Sequence, residues 1–264
     1  MKSIYLMTDL EGVAGVVAFE EHTYPTAKHY EHAKKLLTAE INAAVEGLLS
    51  EGVDDILVVD GHGPGGIWFE DLHPEAKLLH GRPITGQIMR QPMERYDAVA
   101  LLGQHAMAGV STSNLSHTQN SRAIDYFKLN GRPIGEIAQL ALYAGALGKP
   151  MIFLTGEVDA CKEAEEVIPG ITTISVKQGL GRCSAITISA QKSRQLIREG
   201  VAQAVRLHRA NPIQPLVWPG PYTLEKRFYS THEADNAMML PGYERIDGQT
   251  VRVRGDDIRD VIYR

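Results

Sequence analysis

The strongest constraint on this chain is a repeated alternation of short apolar runs, each stopping at Gly, Asp or His, with longer stretches of helical periodicity. The runs fall at residues 4–8, 56–60, 98–103 and 152–156. Short apolar runs bounded by chain breakers suit strands buried on both faces, and the periodic stretches between them suit crossover helices. Together they spell βαβ units and a mostly parallel sheet with helices on its faces. Residues 31–50 are the clearest helix, with Ala33, Leu36, Leu37, Ile41, Ala44, Val45, Leu48 and Leu49 on one stripe and Gly52 as the stop. Residues 134–147 and 189–208 read as two more.

A short acidic helix around 161–167 runs into Pro169-Gly170, which predicts a boundary there. Residues 1–168 then form a Rossmann-like α/β domain with a mostly parallel sheet, and residues 169–264 a smaller C-terminal α+β domain. In this tail Tyr222, Leu224 and Phe228 share the parity of one strand face. Pro241-Gly242 marks a turn, residues 250–254 are β-prone, and a short helix starts at Asp256.

Composition narrows the partners. The 264 residues are 44% hydrophobic and 22% charged, ordinary globular values that exclude disorder, collagen and coiled coil. With 27 basic against 32 acidic residues the net charge is −5, so no positive field draws a phosphate backbone and no nucleic-acid partner is expected. The two cysteines, Cys161 and Cys183, show no C-x-x-C pairing, and the setting expected is reduced and cytoplasmic. The apolar run near the start is far shorter than the ~7–15 residues of a signal-peptide core. No window approaches the ~18 apolar residues of a membrane span, so no membrane partner is expected either.

Chemistry enters where polar residues meet strand ends, since ligands of open α/β sheets bind outside the carboxyl ends of the strands. Asp9 and Glu11 follow the first run, Asp60 and His62 the second, and His105 the third; Glu136 opens a helix after Arg132-Pro133-Ile134-Gly135. Taken singly, each suits an ordinary role, such as a turn residue, a core histidine or a first-turn carboxylate. In one crevice, Asp9, Glu11 and Glu136 would repel each other and take up protons unless a cation neutralised them. Asp9, Glu11, His62, His105 and Glu136 are good ligands for a borderline metal such as Zn²⁺. Five are too many for one catalytic zinc, which takes about three and keeps a position open. With one carboxylate bridging they suit two ions roughly 3.5–4 Å apart. Three negative charges leave two divalent ions one positive charge in excess, which a bridging hydroxide neutralises.

His117 lies in the polar, aperiodic stretch 109–120, which reads as a loop over the cleft, and an imidazole there is suited to proton transfer near pH 7. The run Gly61-His62-Gly63-Pro64-Gly65-Gly66 fits a dinucleotide fingerprint in form only. Pro64 removes one backbone N–H, and the stretch before His73-Pro74 is too short for the helix that faces a pyrophosphate. No nucleotide cofactor is expected. The residues alone suit a dinuclear metallohydrolase, an amidohydrolase or phosphoesterase among them, with a non-enzymatic peptide-binding subunit of a transport system as the other reading.

The motifs D-L-E-G at Asp9, D-G-H at His62, L-G-Q-H-A at His105, S-H at His117 and R-P-I-G-E at Glu136 resemble the bacterial zinc D-aminopeptidase family linked to dipeptide-transport operons. V-K-Q at residues 176–178 and M-L-P-G at residues 239–242 extend the likeness over nearly the whole chain. The resemblance implies that Asp9, Glu11, His62, His105 and Glu136 hold two zinc ions per subunit and that His117 is the catalytic histidine, described in the family as a nucleophile. General chemistry favours a metal-bound hydroxide as the attacking group, with His117 shuttling a proton or stabilising the oxyanion. The implied reaction removes the N-terminal residue, a D-amino acid, from short peptides. The implied assembly is a homodecamer of stacked pentameric rings with the metal sites facing an internal chamber. The family's usual D-S-H is Asp60-Gly61-His62 here, without the hydroxyl.

Overall fold

The computed structural model of this protein describes residues 1–264. The chain enters through β1 (Ser3–Thr8), passes the short α1 (Phe19–His22) and the long α2 (Tyr30–Ser50), and reaches β2 (Asp55–Asp60). β3 (Ala76–Leu79) and α3 (Gly86–Met93) lead to β4 (Ala98–Gln104), which pairs with β1 on the side away from β2. A hairpin of β5 (Ile124–Leu129) and β6 (Arg132–Ile134) precedes α4 (Glu136–Ala146), β7 (Met151–Glu157), α5 (Val158–Val167) and β8 (Thr172–Gly181). β9 (Ser184–Thr187), α6 (Ala190–Ala210), β10 (Tyr222–Phe228), α7 (Thr231–Met238), β11 (Tyr243–Arg245) and β12 (Thr250–Gly255) complete the chain.

Two sheets result. The larger has seven strands in the order β3-β2-β1-β4-β7-β8-β9, all parallel except the last. The smaller is antiparallel, in the order β11-β12-β10-β5-β6. Each run that reads as continuously apolar is a central strand with a core on both sides. Ile4 and Leu6 pack with Leu37 and Ile41 of α2 and Val201 and Val205 of α6, whereas Tyr5 points into the opposite core with Leu140 of α4 and Leu224 of β10. The strand alternation thus divides one sequence between two cores, each buried aliphatic side chain contributing ~1.5–3 kcal/mol.

The mixed α/β class with a mostly parallel sheet matches the sequence reading, but the division after residue 168 does not follow the sheets. β8, β9 and α6 extend and cover the larger sheet, while β5 and β6 join the smaller one, where Leu129 pairs with Leu224. Alternation reports which face of a strand is buried, and not which distant strand it hydrogen-bonds. The helix after Asp256 is a single 3₁₀ turn, Ile258–Asp260.

This topology places the site. From β1 the chain winds outward through β2 and β3, and from β4 it winds the other way through β7 and β8. The crevice therefore opens beyond the carboxyl ends of β1 and β4. Backbone contact there is unusually close: the Asp9 N–H donates to Leu102 O at 2.8 Å and the Gly12 N–H to Gly103 O at 2.7 Å. Gly103 has φ +78° and a Cβ on it would stand 2.1 Å from Asp9 O, so only glycine lets the two strand ends touch.

Candidate metal centre

Asp9, one residue beyond β1, lies between two groups of donors. Its Oδ1 is 3.3 Å from His62 Nδ1, which is in turn 3.0 Å from Glu11 Oε2. Its Oδ2 is 3.1 Å from His105 Nε2, which is 3.5 Å from Glu136 Oε1. Asp9, Glu11 and His62 thus offer one set of donor atoms within 4.8 Å of one another, and His105, His117 and Glu136 another. The structure brings together all six residues singled out from sequence. Asp60 stays outside: its Oδ1 accepts from the Gly66 N–H at 2.8 Å and its Oδ2 meets His80, so it shapes the glycine turn that carries His62.

Each imidazole is oriented by a backbone carbonyl, which can only accept. His62 Nε2 donates to Thr23 O at 2.8 Å, His105 Nδ1 to Ala106 O at 2.9 Å and His117 Nδ1 to Leu115 O at 2.9 Å. In the neutral form of each ring, the nitrogen facing the carboxylates then carries the lone pair that a metal ligand needs. Two of the buried atoms, Glu11 Oε2 and His105 Nε2, have no hydrogen-bond partner despite these short separations. Buried polar atoms at such distances without hydrogen-bond geometry are what ligands of a shared cation present, and the donor set of carboxylates and imidazoles fits zinc.

The electrostatics point the same way. Burial alone would raise the Asp9 carboxyl, yet the imidazoles of His105 and His62 beside it hold it well below the usual range. Burial opposes protonation of His105 and His62, but Asp9 with Glu136, and Glu11 with Asp9, drive them well above the ordinary imidazole value. The carboxylates draw positive charge strongly enough to overcome desolvation. His117 goes the other way: burial, then the neighbouring His105, lowers it.

His117 is not the solvated loop residue its polar surroundings suggest. Its side chain is 11% exposed and its ring stacks on His105, centroids 3.9 Å apart, with Nε2 3.9 Å from Glu136 Oε1. The loop bends sharply around it: Leu115 and Gln119 both adopt left-handed backbone, φ 58° and 62°, a conformation costly for residues with side chains. The Gln119 N–H donates to Glu136 Oε1 at 2.7 Å, its Nε2 to Gln139 Oε1 at 2.9 Å, and Gln139 Nε2 to Ile262 O at 2.9 Å, so the last residues of the chain brace the loop.

Two supports were not assigned from sequence. Buried Lys177 on β8 donates to Glu11 O and Val16 O, fixing the loop after β1. Glu163 on α5 accepts from the Met107 N–H at 2.8 Å, and burial raises it to about 7. A signal existed for both: Lys177 interrupts an apolar strand, and Glu163 shares a helix face with Ala160 and Ala164. The missing hydroxyl at position 61 is sterically required, since a Cβ there would lie 2.6 Å from both Thr8 O and Met7 Sδ. The Thr23 carbonyl orients His62 instead.

The donors open into a cavity of about 680 Å³, with Met7, Ile84, Met89, Leu101 and Leu140 as its apolar part and Arg82 and Arg122 as its only Arg or Lys side chains.

Compared with known proteins, this architecture has clear relatives. A solved structure, the Zn-dependent D-aminopeptidase DppA from Bacillus subtilis, described as a self-compartmentalizing protease, superposes with a TM-score of 0.91 at 29% identity, covering 98% of this chain and 94% of that one. A curated D-aminopeptidase of Bacillus subtilis strain 168 is 30% identical over 250 residues, 94% of this chain and 89% of the relative. The family model for D-aminopeptidases matches residues 1–264 from end to end. The chain belongs to the D-aminopeptidase family of peptide hydrolases.

Proposed function

We propose that this protein is a zinc-dependent aminopeptidase that removes the N-terminal D-residue of short peptides at a dinuclear site formed by Asp9, Glu11, His62, His105 and Glu136. The observation that carries this reading is the position of Asp9, whose two carboxylate oxygens face two separate donor groups, as a bridging ligand must. Bound zinc would act as a Lewis acid on the scissile carbonyl and lower the pKa of a water to about 7.

The chain's own residues supply the rest. His117 Nε2 carries a lone pair beside Glu136 and accepts a proton from the attacking water, later returning it to the leaving amine. Its hydrogen bond to Leu115 O and its stack on His105 hold the ring in that orientation.

The description of DppA as self-compartmentalizing supports a homo-oligomeric assembly here, read as a decamer with the sites inside. A reduced, cytoplasmic setting fits the free thiols of buried Cys161 and exposed Cys183. Assaying zinc-loaded protein against matched D- and L-aminoacyl peptides and phosphoesters, with light scattering for mass, tests the reading. Turnover of D-aminoacyl peptides by a large oligomer is expected. Turnover of phosphoesters alone would overturn the activity, and a monomeric mass would overturn the chamber.

A further inference from the structure

A run of aromatic rings connects the metal-binding end of the cavity to Arg122, with His117 and Tyr24 lining the cavity and Phe19 buried behind them. His117 stacks on His105 and meets Phe19 edge-on at 5.5 Å between centroids; Phe19 stacks with Tyr24 at 6.0 Å; and the Arg122 guanidinium lies 4.0 Å over the Tyr24 ring. Tyr24 is itself fixed by a 3.0 Å hydrogen bond between its hydroxyl and that of Ser121.

The two arginines that line the cavity differ in what their donors do. Arg82 spends its guanidinium on the carbonyls of His62, Gly63 and Gly81, clamping the glycine turn. Arg122 has one side-chain partner, Glu20 Oε2 at 3.3 Å, in an ion pair whose members are 67% and 72% exposed. Such a surface pair contributes little and is easily exchanged. Arg122 is therefore the cation of the cavity with donors to offer, held over a ring face that leaves the edges of the guanidinium open.

We propose that Arg122 receives the free α-carboxylate of the substrate, so that the preferred substrates are unblocked peptides of two to four residues. This rests on the aminopeptidase reading, which puts the substrate's N-terminal residue at the metal-binding end of the cavity, beside His117. The steps from His117 through Phe19 and Tyr24 to Arg122 are 5.5, 6.0 and 4.0 Å, so the direct span holds no more than about four residues at ~3.3–3.6 Å per extended residue. A guanidinium binds a carboxylate through two parallel N–H donors and has no comparable match to a neutral amide.

The test compares a D-aminoacyl dipeptide with its C-terminal amide. In the zinc-loaded wild type, kcat/KM favours the acid. Arg122→Met lowers that preference about tenfold or more, through KM, and Arg122→Lys retains part of it. An unchanged preference in Arg122→Met would overturn the proposal. If neither peptide is hydrolysed, the aminopeptidase reading fails separately. Calorimetric binding of the same acid and amide to wild type and Arg122→Met then decides the role of Arg122 by the same ratio.

Discussion

Lys177 Nζ sits 2.5 Å from the carbonyl oxygen of Glu11 and 2.5 Å from that of Val16, so a single buried ammonium ties both ends of the loop that presents Glu11. Burial pushes this ammonium down to about 8, against the pull of Glu157, Glu11 and Glu40. Lys177→Met keeps the apolar stem and loses both bonds. Zinc affinity, measured by chelator competition, is expected to fall about tenfold, with a loss of up to ~3–5 kcal/mol in unfolding free energy from the broken charge set. Wild-type zinc affinity in a folded variant would show that the loop keeps its shape unaided.

Elemental analysis of active protein is expected to give two zinc ions per chain, and chelation to abolish turnover. Glu136→Ala removes a donor from the His105 group alone, so this variant retains about one ion per chain, held by Asp9, Glu11 and His62. Full activity at one ion in the wild type would contradict the dinuclear reading.

His117→Ala should keep its zinc and lose ~10²–10⁴ in kcat, the usual worth of a positioned proton-transfer group. Because Nε2 lies within reach of the same donor group as His105 and Glu136, the zinc content of the variant is the decisive measurement. A loss of one ion would make His117 a ligand.

Glu40 provides a pH signature away from the donors. Burial raises its carboxyl from 4.5 to about 7, although Ser193 and the Ala14 N–H donate to it. A raised carboxyl favours the neutral form in the folded state, so its contribution is complete below about 4.5 and is lost as pH rises through about 7. Glu40→Gln should therefore gain stability relative to wild type between pH 5 and pH 8, by at most ~3 kcal/mol, measured by denaturant titration at both values. A constant difference would show that Glu40 titrates normally.

Much of this was readable in the sequence because the site is built from strand ends. Asp9, His62 and His105 each follow a run whose apolar character announces a central parallel strand, and such strands deliver their last residues to one edge. Glu136 was readable from its place at the start of the helix that follows Arg132-Pro133-Ile134-Gly135. What periodicity does not encode is pairing between remote segments: nothing in residues 124–134 announces that Leu129 will face Leu224. Nor does it encode burial in a loop. His117 sits among Ser, Asn and Thr residues that read as solvated, yet its stack on His105 comes from a backbone path through two left-handed residues.

The brace from Gln119 through Gln139 to the Ile262 carbonyl has a consequence in time. Every proposed ligand lies within the first 136 residues, so a ribosome has delivered the full donor set when barely half the chain is made. The loop that carries His117 gains its last support only when residue 262 has emerged, and Lys177 locks Glu11 only after β8 is in place. An enzyme that cuts peptides is thereby assembled in an order that delays its competence. The half-synthesised chain carries the donor residues without the Lys177 tie or the Gln119 brace, so the finished cutting geometry waits for residues 177 and 262.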